Sequence, residues 1–323
     1  MENKLDKKRL LFIILNCLAF AILLGLLVLA TFVDLELSKA IGDQSNFFGK
    51  FFAVVAEYPS YFLLPICATI IFYNASNFDK KKTRIAIRIF GGALVFFGWF
   101  FFAYAGEKFV VMRHEIIFSL CMSAVFGSLS LVIGKFIPKE TMTRLLKFAV
   151  FCIVFLAVAL AVTQTVKSIW SRMRFRDMLK EGNLDGFTPW YSPVLGRQNK
   201  NPNYKYTSFP SGHSSSIVHI FVWCVVCDIL PSWKSKKWLK PTLWSTFTVF
   251  CVLGCFSRIV NCAHFLSDIV VGAGLSYGIF LALRYLFFYH KKFTFGWTDR
   301  KLAQLEEKKK LSQESKEQIA VEK

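Results

Sequence analysis

Residues 10–33 read LLFIILNCLAFAILLGLLVLATFV, a stretch that contains no charged side chain. A helix needs about 20 mostly apolar residues to cross a lipid bilayer, so this stretch predicts a membrane-spanning helix. It follows four cations, Lys4, Lys7, Lys8 and Arg9, as the apolar core of a secretory signal peptide does. Such a core is only about 7–15 residues long, and we therefore predict an anchor that is retained.

Seven further apolar runs extend this pattern along the chain. They lie near residues 58–74, 88–105, 115–134, 146–166, 214–231, 242–260 and 266–288. The 323 residues are 54% hydrophobic with a mean hydropathy of +0.45, which is typical of a membrane protein. We predict an all-α, polytopic transmembrane bundle of about eight spans within residues 1–290, followed by a polar cytosolic tail at 291–323. Prolines interrupt the run at 58–74, and glycine and serines weaken the run at 115–134.

The formal net charge of +19 predicts how these spans are oriented. If the N-terminus is cytosolic, the inner segments hold most cations: Lys80, Lys81, Lys82, Arg84 and Arg88; Lys135, Lys139, Arg144 and Lys147; Lys234, Lys236, Lys237 and Lys240; Lys291 and Lys292. The outer loop near 34–57 instead holds Asp34, Glu36, Asp43 and Glu57. The positive-inside rule therefore places both termini in the cytosol. Because the cations are spread over several loops, nucleic-acid binding does not account for the charge.

One segment that should lie outside breaks this charge pattern. The loop from about 167 to 209 carries Lys167, Arg172, Arg174, Arg176, Lys180, Arg197, Lys200 and Lys205. Long translocated loops can ignore the charge rule, but Lys167 and Arg174 lie beside the end of a span, where the rule applies. If the helix continues, their spacing of seven places both on one face. An ammonium and a guanidinium are complementary phosphate ligands, whereas the alternative is that they anchor the span to headgroups.

A second polar cluster, Pro210-Ser211-Gly212-His213, comes directly before an apolar run. Ser211 at this place can cap the helix, which is the purely structural interpretation. A helix N-terminus also presents free N–H groups to an anion, and Gly212 allows the backbone to approach a ligand closely. The Ser211 hydroxyl can donate to a phosphoryl oxygen, and His213 can give a proton to a leaving oxygen.

A third cluster surrounds the turn before the last span, with Ser257 and Arg258 followed by His264 and Asp268. His264 and Asp268 are four residues apart, which places them on one helical face. A carboxylate bonded to one imidazole nitrogen leaves the other nitrogen as a nucleophile. Arg258 can bind the same phosphate. The alternative is a structural polar pair at a helix end. In the predicted topology all three clusters meet at the extracytosolic face of the membrane.

Together these clusters resemble the type 2 phosphatidic acid phosphatase family, whose active sites also resemble those of glucose-6-phosphatase and the vanadium haloperoxidases. Its motifs K-x6-R-P, P-S-G-H and S-R-x5-H-x3-D are matched by Lys167 and Arg174, by Pro210 to His213, and by Ser257, Arg258, His264 and Asp268. One position departs from the pattern, since Phe175 replaces the proline of the first motif. Proline restrains the backbone, so we expect this change to affect how the chain leaves the helix.

The resemblance implies a mechanism for these residues. His264 attacks phosphorus to form a phosphohistidine, Asp268 orients His264, and His213 protonates the leaving group. The phosphoryl group is held by Lys167, Arg174, Ser211, Gly212 and Arg258. No metal or other cofactor is implied, because fixed cations take the place of a metal. The lone Cys224-x-x-Cys227 pair lies in an apolar run without further ligands and predicts small buried residues.

We therefore expect an integral membrane hydrolase that acts on a phospholipid or isoprenoid (pyro)phosphate, such as phosphatidic acid, phosphatidylglycerol phosphate, undecaprenyl pyrophosphate or phosphorylated lipid A. The same residues would serve a lipid phosphotransferase, which remains an alternative. A transporter or lipid-binding protein without catalysis is a further alternative, against which the intact His213, His264 and Asp268 argue. Compact loops favour a bacterial cytoplasmic membrane. The sequence leaves the lipid and the oligomeric state open.

Overall fold

The computed structural model describes residues 2–107, 114–195, 206–290, 300–307 and 310–311. The predicted all-α class is confirmed, since no strand occurs among these residues. Arg197, Lys200, Lys205, Lys291, Lys292 and most of the predicted tail lie outside the described residues. The assignment of residues 1–290 to one functional domain stays a prediction.

The helices follow one another along the chain, and residues 182–211 separate α7 from α8. Their bounds are α1 Glu2–Ile41, α2 Phe47–Val55, α3 Tyr58–Asn74, α4 Lys81–Glu107, α5 Glu115–Phe136, α6 Lys139–Trp170, α7 Phe175–Glu181, α8 Gly212–Ile217, α9 Val222–Ile229, α10 Pro231–Lys234, α11 Leu239–Val260 and α12 Leu266–Phe288. Short 3₁₀ turns at Ala75–Asn77 and Val218–Phe221 extend α3 and join α8 to α9.

The prediction of eight spans is confirmed within the described residues. The segments long and apolar enough to cross a membrane are Arg9–Ile41, Phe47–Asn77, Lys81–Ala105, Glu115–Phe136, Lys139–Glu181, Gly212–Ile229, Leu239–Val260 and Leu266–Phe288. The first is the most apolar and remains largely exposed, with Leu24 at 64% exposure. An exposed apolar helix of this length is suited to contact with lipid tails.

The prediction of an outer loop near 34–57 is wrong. Helix α1 continues to Ile41, and α2 occupies Phe47–Val55, so only short turns at 42–46 and 56–57 remain non-helical. Asn46 caps α2, and its side-chain oxygen accepts from the N–H of Gly49 at 3.3 Å. Of the acidic residues assigned to this loop, Asp34 and Glu36 lie within α1, whereas Asp43 and Glu57 lie in the two turns, and Asp34 is buried.

The chain divides into two compact units, of which the first comprises residues 1–59, 157–220 and 246–280. In this unit the Tyr277 hydroxyl of α12 donates to Asn16 Oδ1 of α1 at 2.6 Å. Helix α2 packs on α11, since the ring centroids of Phe52 and Phe250 are 5.9 Å apart. Helices α1 and α2 therefore pack against the two helices next to the third motif.

The second unit comprises residues 60–156, 221–245 and 281–323. The Trp99 indole of α4 donates to Ser130 Oγ of α5 at 2.8 Å, and the Ser123 hydroxyl donates to the Phe96 carbonyl. Ser130, one of the serines that weaken the apolar run at 115–134, thus forms a hydrogen bond between helices, as Ser123 also does and as is common among membrane helices. Helix α4 also lies close to α3, because a Cβ on Gly98 would be 2.7 Å from Pro65 Cδ.

We expect Gly98→Ala to lower the midpoint of thermal unfolding, because the added methyl group must displace the backbone at Pro65. Overpacking of this kind costs about 1–3 kcal/mol. Gly25→Ala on α1 is the matched control, since apart from the neighbouring backbone of its own helix no described atom lies within 4 Å of its added Cβ. Alanine should leave that midpoint unchanged or raise it. Equal midpoints for both variants in detergent would contradict the close packing of α3 on α4.

Candidate active site

The two cations of the first motif are brought together by a loop rather than by one helix. Helix α6 ends at Trp170, Ser171 has a left-handed φ of 43°, and Arg174 has an extended backbone as the N-cap of α7. The expected continuous helix through Arg174 is therefore wrong. Both side chains nevertheless bind Thr207: Lys167 Nζ donates to its carbonyl oxygen at 2.7 Å and Arg174 Nη2 to its hydroxyl at 3.3 Å.

Phe175, where the family motif has proline, is the first residue of α7. Proline is favoured at this position because its fixed φ suits the helix and the N–H has no partner within the helix. Phe175 is instead buried against Met178 and Cys262, and its ring centroid is 6.0 Å from that of Phe265. The departure from the motif therefore adds aromatic packing next to Arg174.

The second motif begins α8, and Ser211 is its N-cap. The Ser211 hydroxyl oxygen accepts from the Ser214 N–H at 3.2 Å and from the Ser214 hydroxyl at 3.0 Å. Its own N–H donates to the Asp268 carbonyl at 2.9 Å, and a Cβ on Gly272 would be 2.4 Å from the Ser211 carbonyl oxygen. The missing side chain of Gly272 thus allows the motif to lie against α12. The capping role of Ser211 is confirmed, and its contact with a phosphoryl group stays a prediction.

Gly212 and His213 connect this motif with the other two. A Cβ on Gly212 would be 3.6 Å from Lys167 Cε, so the Gly212 backbone lies next to the first motif. The ring centroids of His213 and His264 are 6.3 Å apart. His213 Nε2 is also 3.1 Å from Glu57 Oε1, a carboxylate that the sequence analysis assigned only to an outer loop.

His264 in the third motif lies before α12, which begins at Leu266, so it does not share a helical face with Asp268 as expected. Its Nδ1 is 2.8 Å from the carbonyl oxygen of Ser208. A carbonyl oxygen can only accept, so Nδ1 carries the hydrogen and Nε2 holds the lone pair. The Asp268 carboxylate is 3.5 Å from Nδ1. The Ser208 carbonyl, rather than the expected carboxylate, is therefore the nearest partner of the ring.

The surroundings of His264 favour a neutral imidazole. Burial lowers its pKa to about 3, Asp268 acts in the opposite direction, and the charges of Arg174 and Lys167 lower it further. Desolvation and nearby cations both disfavour the protonated form of a histidine. The lone pair on Nε2 is therefore available throughout the neutral pH range.

Asp268 is held by a buried network centred on Arg172, a residue to which the sequence analysis assigned no contact with phosphate. Arg172 Nη1 donates to Asp268 Oδ1 at 2.7 Å, and its Nη2 donates to Asp34 Oδ2 at 3.0 Å. The other Asp268 oxygen accepts from the Ser208 hydroxyl and from the Phe265 N–H at 2.9 Å. Arg172 is fully buried, so its charge is balanced by two carboxylates inside the protein.

Asp34 ties the first span to this network. Its Oδ1 accepts from the Ser267 N–H at 2.9 Å, and its Oδ2 accepts from the Ser267 hydroxyl. The Ser267 oxygen in turn accepts from Arg172 Nη1 at 2.7 Å. An acidic residue directly after the apolar run at 10–33 was the only sequence signal for this contact.

The remaining cations of the motifs have no carboxylate partner within the described part of the chain. Lys167 is 7% exposed and Arg258 is 3% exposed, yet neither forms an ion pair there. Arg258 Nε and Nη1 and Arg174 Nε are buried and make no hydrogen bond to described residues. Buried guanidinium nitrogens without acceptors are costly, so an anion is expected between these side chains.

No three His, Cys, Asp or Glu side chains in the described ranges come together as a metal site. Cys224 and Cys227 are free and buried in α9. The expectation that catalysis needs no metal stays a prediction.

Comparison with known proteins identifies the region that carries the motifs. The family model described as the PAP2 superfamily matches residues 148–292, which contain all three motifs. The family resemblance seen in the sequence is thereby confirmed. Asp34 and Glu57 lie outside the matched residues. No curated protein and no solved structure matches the chain.

Removal of the Asp34 carboxylate should destabilise the protein strongly, because Arg172 would keep only one of its two buried counterions. Breaking a buried ion pair from one side costs about 3–5 kcal/mol. The matched control is Glu36→Ala on the same helix, where an exposed pair with Lys39 at 2.8 Å contributes only about 0–1 kcal/mol. The midpoint of thermal unfolding in detergent measures the loss of stability in both variants. Similar midpoints for Asp34→Ala and Glu36→Ala would contradict the buried network.

Proposed function

Residues 148–292 match the PAP2 superfamily, and from this match we propose that the protein is an integral membrane phosphatase that hydrolyses a lipid phosphate or lipid pyrophosphate. The observation that carries the proposal is that buried guanidinium nitrogens of Arg258 and Arg174 have no hydrogen-bond acceptor among the described residues and lie beside a neutral His264. Unsatisfied cations favour binding of a phosphate, and a neutral imidazole supplies a nucleophile for it. Phosphatase chemistry is also what the superfamily supports.

The proposed phosphate ligands come from all three motifs. Lys167, Arg174 and Arg258 provide the charge, and the Gly212 backbone next to Lys167 provides an approach without a side chain in the way. We also assign the Ser211 hydroxyl to this group, since it uses its lone pairs for the Ser214 cap and keeps its hydrogen for a phosphoryl oxygen. Fixed donors of this kind stabilise the charge that develops on phosphorus oxygens in the transition state.

The proposed reaction proceeds in two displacements. The Nε2 lone pair of His264 forms a bond to phosphorus, the bond from phosphorus to the leaving oxygen breaks, and that oxygen takes a proton from His213. Water then gives a proton to His213 while its oxygen bonds to phosphorus. The N–P bond breaks, and its electron pair returns to Nε2. Splitting a difficult hydrolysis in this way is the advantage of a covalent intermediate.

Asp268 acts on His264 mainly through charge and through Ser208. Once Nε2 is phosphorylated, the ring becomes positive, and the carboxylate 3.5 Å from Nδ1 stabilises that charge. The Ser208 hydroxyl binds Asp268 while the Ser208 carbonyl accepts from Nδ1, so the same residue links carboxylate and imidazole. Arg172 keeps the carboxylate in place.

The proposed substrate carries its phosphate on a tail that stays in the bilayer. The motif residues lie at the end of α6, the start of α8, the end of α11 and the turn before α12, which are the ends of apolar spans. A site at the end of a membrane span favours an amphiphile over a soluble phosphate ester. The charge distribution of the sequence supports an extracytosolic site and cytosolic termini, and compact loops support a bacterial cytoplasmic membrane.

Purified protein in detergent should release phosphate from at least one lipid in a panel of phosphatidic acid, phosphatidylglycerol phosphate and undecaprenyl pyrophosphate. EDTA should not reduce the rate, and vanadate, a phosphate analogue, should inhibit it. If EDTA abolished the activity and a divalent metal restored it, catalysis by fixed cations would be contradicted. Transfer of phosphate only when an acceptor lipid is added would replace hydrolysis by phosphotransfer.

His264→Ala should abolish release, with a loss of at least about 10³-fold, because no other group can form the intermediate. Rapid quenching with substrate labelled on phosphorus should trap a protein-bound label that is lost in acid and kept in base, as expected for phosphohistidine. The buried His219 in the 3₁₀ turn provides the control, and His219→Gln should retain the label. Labelling of His264→Ala at the wild-type level would refute the assigned nucleophile.

A further inference from the structure

Glu57 lies in the turn between α2 and α3, outside the residues that match the superfamily, and contacts the histidine of the second motif. Its Oε1 is 3.1 Å from His213 Nε2. The side chains are 19% and 24% exposed, so water screens the contact only in part. The two atoms are close enough for an ion pair, and His213 Nδ1 makes no hydrogen bond to a described residue.

The position of Glu57 is set by the packing of α2. The Glu57 N–H donates to the Val54 carbonyl at 3.3 Å, which closes the turn after α2. Helix α2 is in turn held on α11 by Phe52, whose ring centroid is 5.9 Å from that of Phe250. Helix α11 ends with Arg258 and Val260. The same helix thus places a phosphate ligand and supports the turn that carries Glu57.

The charges around His213 make such a carboxylate useful. The groups that act on its ring are Arg258 from α11, His264 from the turn before α12, Arg174 at the start of α7 and Lys167 from α6. Three of them are permanent or usual cations, and they oppose a further positive charge on the imidazole. An acid that must donate a proton here needs an opposite charge close to its ring. Glu57 is the group that supplies it at 3.1 Å.

We propose that Glu57 is a positioning residue for His213, accepting a hydrogen bond from Nε2–H and stabilising the imidazolium that protonates the leaving oxygen. This role rests on the proposed phosphatase function. It assigns a part in catalysis to the second span, Phe47–Asn77, which the superfamily match does not include.

The proton transfers in the two displacements agree with this arrangement. The imidazolium carries a hydrogen on each nitrogen, and the one on Nε2 stays directed at Glu57. The Nδ1 hydrogen passes to the leaving oxygen, which departs as an alcohol. The Nδ1 lone pair then accepts a proton from the attacking water and restores the imidazolium. Throughout both steps Glu57 keeps the neutral ring in the tautomer with its hydrogen on Nε2. A carboxylate beside a catalytic histidine usually has this role.

The test compares Glu57→Gln with wild type on two substrates that share an alkyl tail. One is an alkyl phosphate, whose alkoxide must be protonated to leave. The other is a nitrophenyl phosphate, whose phenolate leaves without a proton. The glutamine carbonyl can still accept from Nε2–H, so the variant removes the charge and keeps the bond. The ratio of the two rates in one sample does not depend on how much of the protein is folded. Glu36→Gln on α1 is the matched control.

General acid catalysis contributes about 10²–10⁴-fold, and we expect Glu57→Gln to lose about 10-fold or more of kcat/KM on the alkyl phosphate. The kcat/KM on the nitrophenyl phosphate, which does not include the later hydrolysis of the intermediate, should change by less than about threefold. Because the carboxylate favours the protonated ring, its removal should also move the alkaline fall of the alkyl phosphate rate to lower pH. Glu36→Gln should match wild type in both measurements.

An equal loss on both substrates, or an alkaline limb that does not move, would overturn the role of Glu57 while leaving the phosphatase function intact. The proposed function fails in a different way, namely if wild-type protein releases phosphate from neither substrate. The inclusion of His264→Ala, which should be inactive on both, separates enzyme turnover from contamination.

Discussion

The buried charge of Arg172 is the constraint around which the candidate site is built. A guanidinium without water needs counterions, and Asp34 and Asp268 supply them at 3.0 and 2.7 Å. Burying any one of these three charges without its partners would cost several kcal/mol of free energy. The three side chains therefore hold one another in a single arrangement. Asp268 in turn fixes Ser208 and the turn that carries His264. His264, the proposed nucleophile, is therefore positioned by a charge network that begins on the first span.

This network divides the charges of the site into two groups. Asp34 and Asp268 both form ion pairs with Arg172, and neither forms one with Lys167, Arg174 or Arg258. Those three retain their positive charge for a ligand. A site that paired all of its cations internally would have no excess charge with which to bind a phosphate. The position of Arg172 thus determines which cations remain available.

The two histidines differ in their surroundings, and the difference suits opposite tasks. His264 is buried, donates to a carbonyl and has a pKa lowered to about 3. His213 is partly exposed and lies against the carboxylate of Glu57. A neutral environment suits a nucleophile, whereas a carboxylate suits an acid that must carry a proton. Separation of acid and base roles by environment is a general property of paired catalytic groups.

The parts of this molecule that were predicted from sequence are those with a local signal. The eight spans follow from apolar length, and the motifs follow from short spacings. The network was not predicted, because Arg172 contacts residues 96 and 138 positions away and no local pattern records such a pair. The helix break after Trp170 was missed for a related reason. Ser171 adopts a left-handed φ without the glycine or proline that would signal a turn.

The connection between Asp34 and Ser267 spans 233 residues and has a consequence for biosynthesis. A ribosome completes α1 long before it makes Arg172, and it makes α12 last among the spans. The newly inserted first helix therefore carries an acidic group whose permanent counterion does not yet exist. Only the arrival of α12 completes the set of contacts. A chain that is truncated before Arg172 retains an unmatched carboxylate, a feature by which membrane quality control can distinguish an unfinished protein from a mature one.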